Sequence, residues 1–178
     1  MDAITLLRED HRKVEKLFKE FEKAGPRAGK TKAKLVDKII EELSVHAAIE
    51  EQIFYPAVQN ADKDMVLESL EEHHIVKWVL SELQGLTPKD ERFDAKVTVL
   101  IENVRHHVKE EQDELFPEVR ALLTRKQLVD LGEALAEVKK VAPTRPHPRV
   151  PDEPPLNIVA GAMAGVLDKA RDALHVAS

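Results

Sequence analysis

The sequence predicts an all-α protein: an antiparallel up-down four-helix bundle, followed by a short helix, a Pro-rich strap and a C-terminal helix. Three observations predict it. Ala, Leu, Glu and Lys dominate a chain of 178 residues that holds six glycines and one tyrosine, a composition that favours helix over a turn-rich all-β domain. Apolar residues recur at helical spacing in four long segments joined by short connections, as antiparallel neighbours in a bundle require. The first two of these segments also resemble the next two.

Each element has its own signals. In the first helix Ile4, Leu7, Val14, Leu17, Phe18 and Phe21 form the apolar stripe, Asp2 is the cap, and Gly25-Pro26 is the stop. A second runs from about Thr31 through Leu35, Ile39, Leu43, Ile53 and Phe54, and Tyr55-Pro56 is expected to close it. Asp62 or Asp64 opens a third, with Val66, Leu70, Val76, Leu80 and Leu83 on one side up to Gly85. Thr87-Pro88 reads as cap and first position of a fourth, which carries Val97, Leu100, Val104 and Leu115 to about Leu123. Thr124 and Gln127 fit a capping box for a shorter helix reaching Lys140. Residues 143–155 hold six of the ten prolines and are expected to run as an extended strap. Helical spacing returns from Asn157 to about His175. Two units follow: 1–142, the bundle with its following helix, and 143–178, a strap and helix packed on the bundle or on a second subunit.

Bulk chemistry narrows the function. The 43% hydrophobic residues suffice for a core, and a net charge of −6 speaks against a nucleic-acid partner, which calls for a basic face. No run of roughly eighteen apolar residues is present, so no membrane span is expected, and the N-terminus lacks a signal-peptide pattern. With no cysteine, disulfides, thiolate zinc sites, iron–sulfur clusters and cysteine nucleophiles are excluded. A reducing cytoplasm is the expected location.

The internal repeat carries the chemistry. The segment from Glu9 to Phe21, containing His11, lies over Glu71 to Leu83, containing His73. Likewise His46, Glu50 and Pro56 lie over His107, Glu111 and Pro117 at identical spacing. Residues i and i+4 lie one turn apart on one helix face, so His46 with Glu50, and His107 with Glu111, can reach a single site. All six fall on apolar stripes, where an unpaired carboxylate or charged imidazole costs several kcal/mol. A single buried histidine is more often a hydrogen-bonded core residue than a ligand. Matched positions on four helices, in repeated register, are a different matter: metal ions supply the missing partner, and imidazole suits iron, copper and zinc. His106 with Glu110 also fits the i,i+4 spacing, but His107 looks back to Val104 and Leu100 and keeps the proline register. His73 is preferred to His74, which shares a face with Lys77 and Ser81. His147 and His175 belong to no pattern.

This arrangement of His11, His46-x-x-x-Glu50, His73 and His107-x-x-x-Glu111, with Pro56 and Pro117 closing the helices, resembles the hemerythrin-like, or HHE cation-binding, domain family over roughly residues 1–125. The Pro-rich tail gives a looser resemblance to the actinobacterial branch. The resemblance implies two iron ions, oxo- or hydroxo-bridged, with Glu50 and Glu111 bridging and His11, His46, His73 and His107 as terminal ligands. One departure stands out: oxygen-carrying members have a second histidine one turn after the third-helix histidine, and Lys77 stands there. Tyr55 is a candidate to complete the shell as a phenolate, although plain helical geometry puts it off the His46–Glu50 face. The implied activity is binding or reduction of O2, peroxide or nitric oxide in redox defence or sensing, catalase-like or nitric-oxide-reducing if catalytic, with a redox partner in that case. The alternatives are a non-catalytic iron or oxygen sensor or carrier, and a zinc or structural metal site.

Overall fold

The computed structural model describes residues 1–150; the expected C-terminal helix lies outside the described residues. Among those residues the only regular secondary structure is helix, arranged in five rods. The first is α1 (Ala3–Lys23), capped by the Asp2 carboxylate, which accepts from the Thr5 backbone N–H at 2.9 Å. The second is one continuous rod of α2 (Gly29–Ile49), a π turn (Glu50–Phe54) and α3 (Tyr55–Val58). The third is α4 (Lys63–Leu83), where Asp62 rather than Asp64 caps by accepting from Met65 N–H. The fourth repeats the second: α5 (Phe93–Glu110), a π turn (Glu111–Leu115) and α6 (Phe116–Leu122). The fifth is α7 (Arg125–Lys139), with the Thr124–Gln127 capping box in place.

Two boundaries differ from the sequence reading, each for a local reason. Thr87-Pro88 does not open the fourth rod. The Asp90 carboxylate instead accepts from both the backbone N–H and the hydroxyl of Thr87, closing a turn, and helix begins only at Phe93. Pro56 and Pro117 do not close their rods either. Each sits in the first turn of a short α segment, just past a π turn. A proline inside an unbroken α-helix lacks its N–H and clashes with the carbonyl four residues back. The wider turn accommodates that defect, and the rods continue.

The core lies in two apolar clusters. One gathers Ile4, Leu7, Phe54, Tyr55, Leu115, Phe116 and Leu135; the other gathers Phe18, Ile39, Leu43, Val76, Leu80, Leu100 and Val104. In α1, His11 falls between Leu7 of the first cluster and Val14 of the second, so a polar layer divides the two. The rod α7 lies across α1 and α2. Gly132 makes that approach possible, since a Cβ there would stand 2.3 Å from the Met1 carbonyl oxygen. On the far side α1 and α5 are joined by long side chains: Arg105 reaches both Glu15 and Glu22. Residues 141–150 contain no helix; Pro143 and Pro146 are buried where the segment crosses α2 and α4.

Candidate metal centre

Six of the expected side chains meet in the polar layer. His11, His46, Glu50, His73, His107 and Glu111 are each at most 5% exposed. They form two halves. The Nε2 atoms of His11 and His46 approach to 3.1 Å, and those of His73 and His107 likewise to 3.1 Å. Glu50 lies between the halves, its Oε2 standing 3.1 Å from His46 Nε2 and 3.4 Å from His73 Nε2. The Oε2 of Glu111 is 3.3 Å from His11 Nε2 and 3.6 Å from His107 Nε2. One group of donors within 4.8 Å of one another is His11, His46, Glu50 and Glu111; a second is Glu50, His73 and His107.

Tyr55 joins them, contrary to plain helical geometry. Its backbone N–H bonds to the Glu50 carbonyl five residues back, so the π turn holds one more residue than an α turn. That extra residue rotates everything beyond it by about 100°. The Tyr55 hydroxyl therefore swings inward, donating to Glu111 Oε1 at 2.9 Å and lying 3.3 Å from His73 Nε2. The second π turn does the same for its counterpart Phe116, whose ring stacks at 5.9 Å on His11. The two halves thus differ: a phenol faces one and a phenyl the other.

The outward Nδ1 atoms reveal residues the sequence reading overlooked. His107 Nδ1 meets Glu72 at 2.7 Å, and His73 Nδ1 meets Glu51 at 3.2 Å, with Lys77 pairing to Glu51 at 2.9 Å. Asp10 faces His46 Nδ1 at ion-pair distance, 3.8 Å, and is itself held by Lys139 of α7. The Gln112 amide lies 2.9 Å from His11 Nδ1. On His73 and His107 a carboxylate acceptor at Nδ1 fixes the tautomer that turns the Nε2 lone pair inward, whereas the Gln112 amide nitrogen donates to His11 Nδ1. The signal was in the repeat: Asp10 and Glu72 directly precede the matched histidines, and Glu51 and Gln112 directly follow the matched glutamates. By contrast His106 is exposed and pairs with Glu110, and His74 accepts from the Trp78 indole.

Electrostatics leave this layer short of positive charge. Burial, then the neighbouring charge of Glu111, raises the Glu50 carboxyl well above its ordinary 4.5. Burial pushes Glu111 the same way, but His107 and His11 outweigh it and hold Glu111 low. Burial depresses His11, and more strongly His73. His107 is raised because Glu111 and Glu72 overcome its burial. Burial, then the charges of Glu111 and Glu50, pushes the Tyr55 phenol well up. Neither oxygen of Glu50 accepts a hydrogen bond, nor does Glu111 Oε2, although all three are buried. Such orphans are rare and costly. Inward imidazole nitrogens beside unpartnered carboxylate oxygens are what a cation satisfies and a hydrogen-bond network does not.

A helical bundle with paired histidine–carboxylate clusters in its interior defines a cation-binding helical domain. The chain belongs to the hemerythrin HHE cation-binding domain family, whose profile matches residues 2–119. It is 27% identical over 170 residues to an uncharacterised hemerythrin-like protein of Schizosaccharomyces pombe, covering 93% of this chain and 83% of that one. A DNA nickase of a Nostoc species is 27% identical over 128 residues, 71% of this chain but only 36% of the nickase. The fold is shared with a crystal structure of an HHE cation-binding domain protein from Mycobacterium kansasii, with a TM-score of 0.68 at 24% identity, over 79% of this chain and 86% of that one.

Proposed function

We propose that this chain is a non-haem di-iron protein that binds or reduces O2, peroxide or nitric oxide. The single observation behind this reading is the pair of convergent donor groups, with three buried carboxylate oxygens that accept no hydrogen bond. His11 and His46 would hold one ion and His73 and His107 the other, with Glu50 and Glu111 spanning both. The Tyr55 hydroxyl, close to His73, His107 and Glu111, is positioned to serve as a further ligand to the second ion. When bound, iron supplies redox chemistry and open coordination positions. The protein's own part is orientation and exclusion of water. Glu51, Glu72 and Gln112 hold three of the rings while Asp10 faces the fourth, and the two apolar clusters seal the layer above and below.

Room for a small ligand supports the choice among functions. A cavity of about 20 Å³ touches all four histidines and is otherwise lined by Val14, Leu43, Ala47, Val76, Val104 and Val108. That is room for about one water-sized particle, an ion included, and too little for an organic substrate. Lys77, at the place of a fifth histidine, pairs with Glu51 instead, so it favours turnover or sensing over reversible oxygen carriage. A non-catalytic sensor is the second reading. Among the described residues no helix is long and apolar enough to cross a membrane, and the absence of cysteine fits a cytoplasmic setting. Metal analysis with an optical spectrum of the purified protein tests the site: two irons per chain are expected, and zinc or no metal refutes it. Peroxide and nitric oxide consumption by the iron-loaded protein then separates an enzyme from a sensor.

A further inference from the structure

The approximate two-fold of the repeat relates the α1–α5 seam to the α4–α2 seam, and the two are finished differently. Over α2 and α4, Pro143 and Pro146 of the strap lie against Ser44 and Ala48, beside Glu51 and Lys77, and leave only about 40 Å³. Between α1 and α5 there is an open cleft of about 800 Å³ whose floor includes His11 and Gln112. The cleft and the small histidine-lined cavity share four wall residues: His11, Val14, Val104 and Val108. Three valines and one imidazole therefore stand between solvent and the innermost space of the site. Val108 is the outermost valine, being half-buried where Val14 and Val104 are buried.

The geometry points to the α1–α5 cleft as the entrance by which small ligands reach the centre, with Val108 as the gating side chain. The inference rests on the di-iron reading. The walls of the entrance carry six Lys or Arg against three Asp or Glu, and because Arg12, Lys16, Lys19, Arg105 and Lys109 each pair with a nearby carboxylate, the positive excess at the mouth is small. Even a small excess of cations at the mouth favours the approach of a small anion on a chain whose net charge is −6. Arg105, paired to Glu15 and Glu22, ties the two helices together beside the mouth.

Azide, a small anion that absorbs when bound to ferric iron, is the probe. Its association and dissociation are followed by stopped flow on the iron-loaded full chain. Val108→Trp is expected to slow both rates, association by about tenfold, since a gate obstructs entry and exit alike. Val108→Ala is expected to speed both, and keeps the test available should the tryptophan variant fold poorly. Gln52→Trp, on the strap-covered seam, should leave the rates alone, and raising ionic strength should lower the wild-type association rate. Rates indifferent to Val108, a shifted Kd without a rate change, or slowing by Gln52→Trp would each overturn the entrance. A purified protein without iron refutes the reading of the site itself, and the entrance falls with it.

Discussion

Glu50→Gln should change sign with metal. In the metal-free fold both Glu50 oxygens are buried without a hydrogen bond, and Glu111 is close enough to raise its proton affinity further. A buried polar group left unpaired costs about 1–3 kcal/mol, more if charged. Glutamine removes the charge and brings an amide that can donate to the His46 ring nitrogen, which faces Glu50 at 3.1 Å. Metal-free Glu50→Gln should therefore exceed the wild type by about 1–3 kcal/mol at pH 8. The pH dependence follows by linkage. The unfolded carboxyl loses its proton near 4.5 while the folded one keeps it to higher pH, so between those values the folded state binds more protons and wild-type stability falls as pH rises. The advantage of the variant should accordingly vanish near pH 4.5 and grow above it. With iron bound the order reverses, because binding to the native state adds stability that the variant forgoes. Urea denaturation, with and without chelator at several pH values, reads all of this. A variant less stable than the wild type in metal-free protein at pH 8 would refute the view that this layer awaits a cation.

Other substitutions probe separate parts of the structure. His107→Ala should abolish binding of at least one iron per chain, whereas His106→Ala, one residue away but exposed, should leave metal content and spectrum unchanged. Tyr55→Phe turns one half of the site into a likeness of the other. It should remove any phenolate-to-iron absorption in the visible and, in metal-free protein, cost about 1.5–3 kcal/mol for the lost bond to the Glu111 carboxylate. Gly132→Ala forces a methyl group against the backbone of Met1–Ala3 and should lower stability by about 1–3 kcal/mol, measured by thermal or urea unfolding, without changing the iron spectrum.

Much of this architecture was legible because local chemistry and tertiary demand agree. Asp2, Asp62 and Thr124 announce their helices and do cap them. The six site residues sit on stripes whose other members, such as Leu7, Leu43, Val76 and Val104, are buried core. The π turns were not legible. Glu50–Phe54 and Glu111–Leu115 are ordinary helix-forming stretches with no glycine, and only the tenth-position prolines betray a wider turn. Read as stops, those prolines hid the rotation that brings Tyr55 inward. The outer carboxylates were hidden for another reason. Asp10 and Glu72 look like solvated charges on helices rich in charge, and only the opposing helix gives each of them a histidine to face.

Each interrupted rod is in effect two helices in different phase, spliced by a single surplus residue. Loss of one residue between Glu50 and Phe54 would restore unbroken winding and carry the Tyr55 hydroxyl out of the polar layer. The segment is therefore intolerant of length changes. Chain length is thus a constraint on this stretch in addition to the Glu50 and Glu51 side chains it carries.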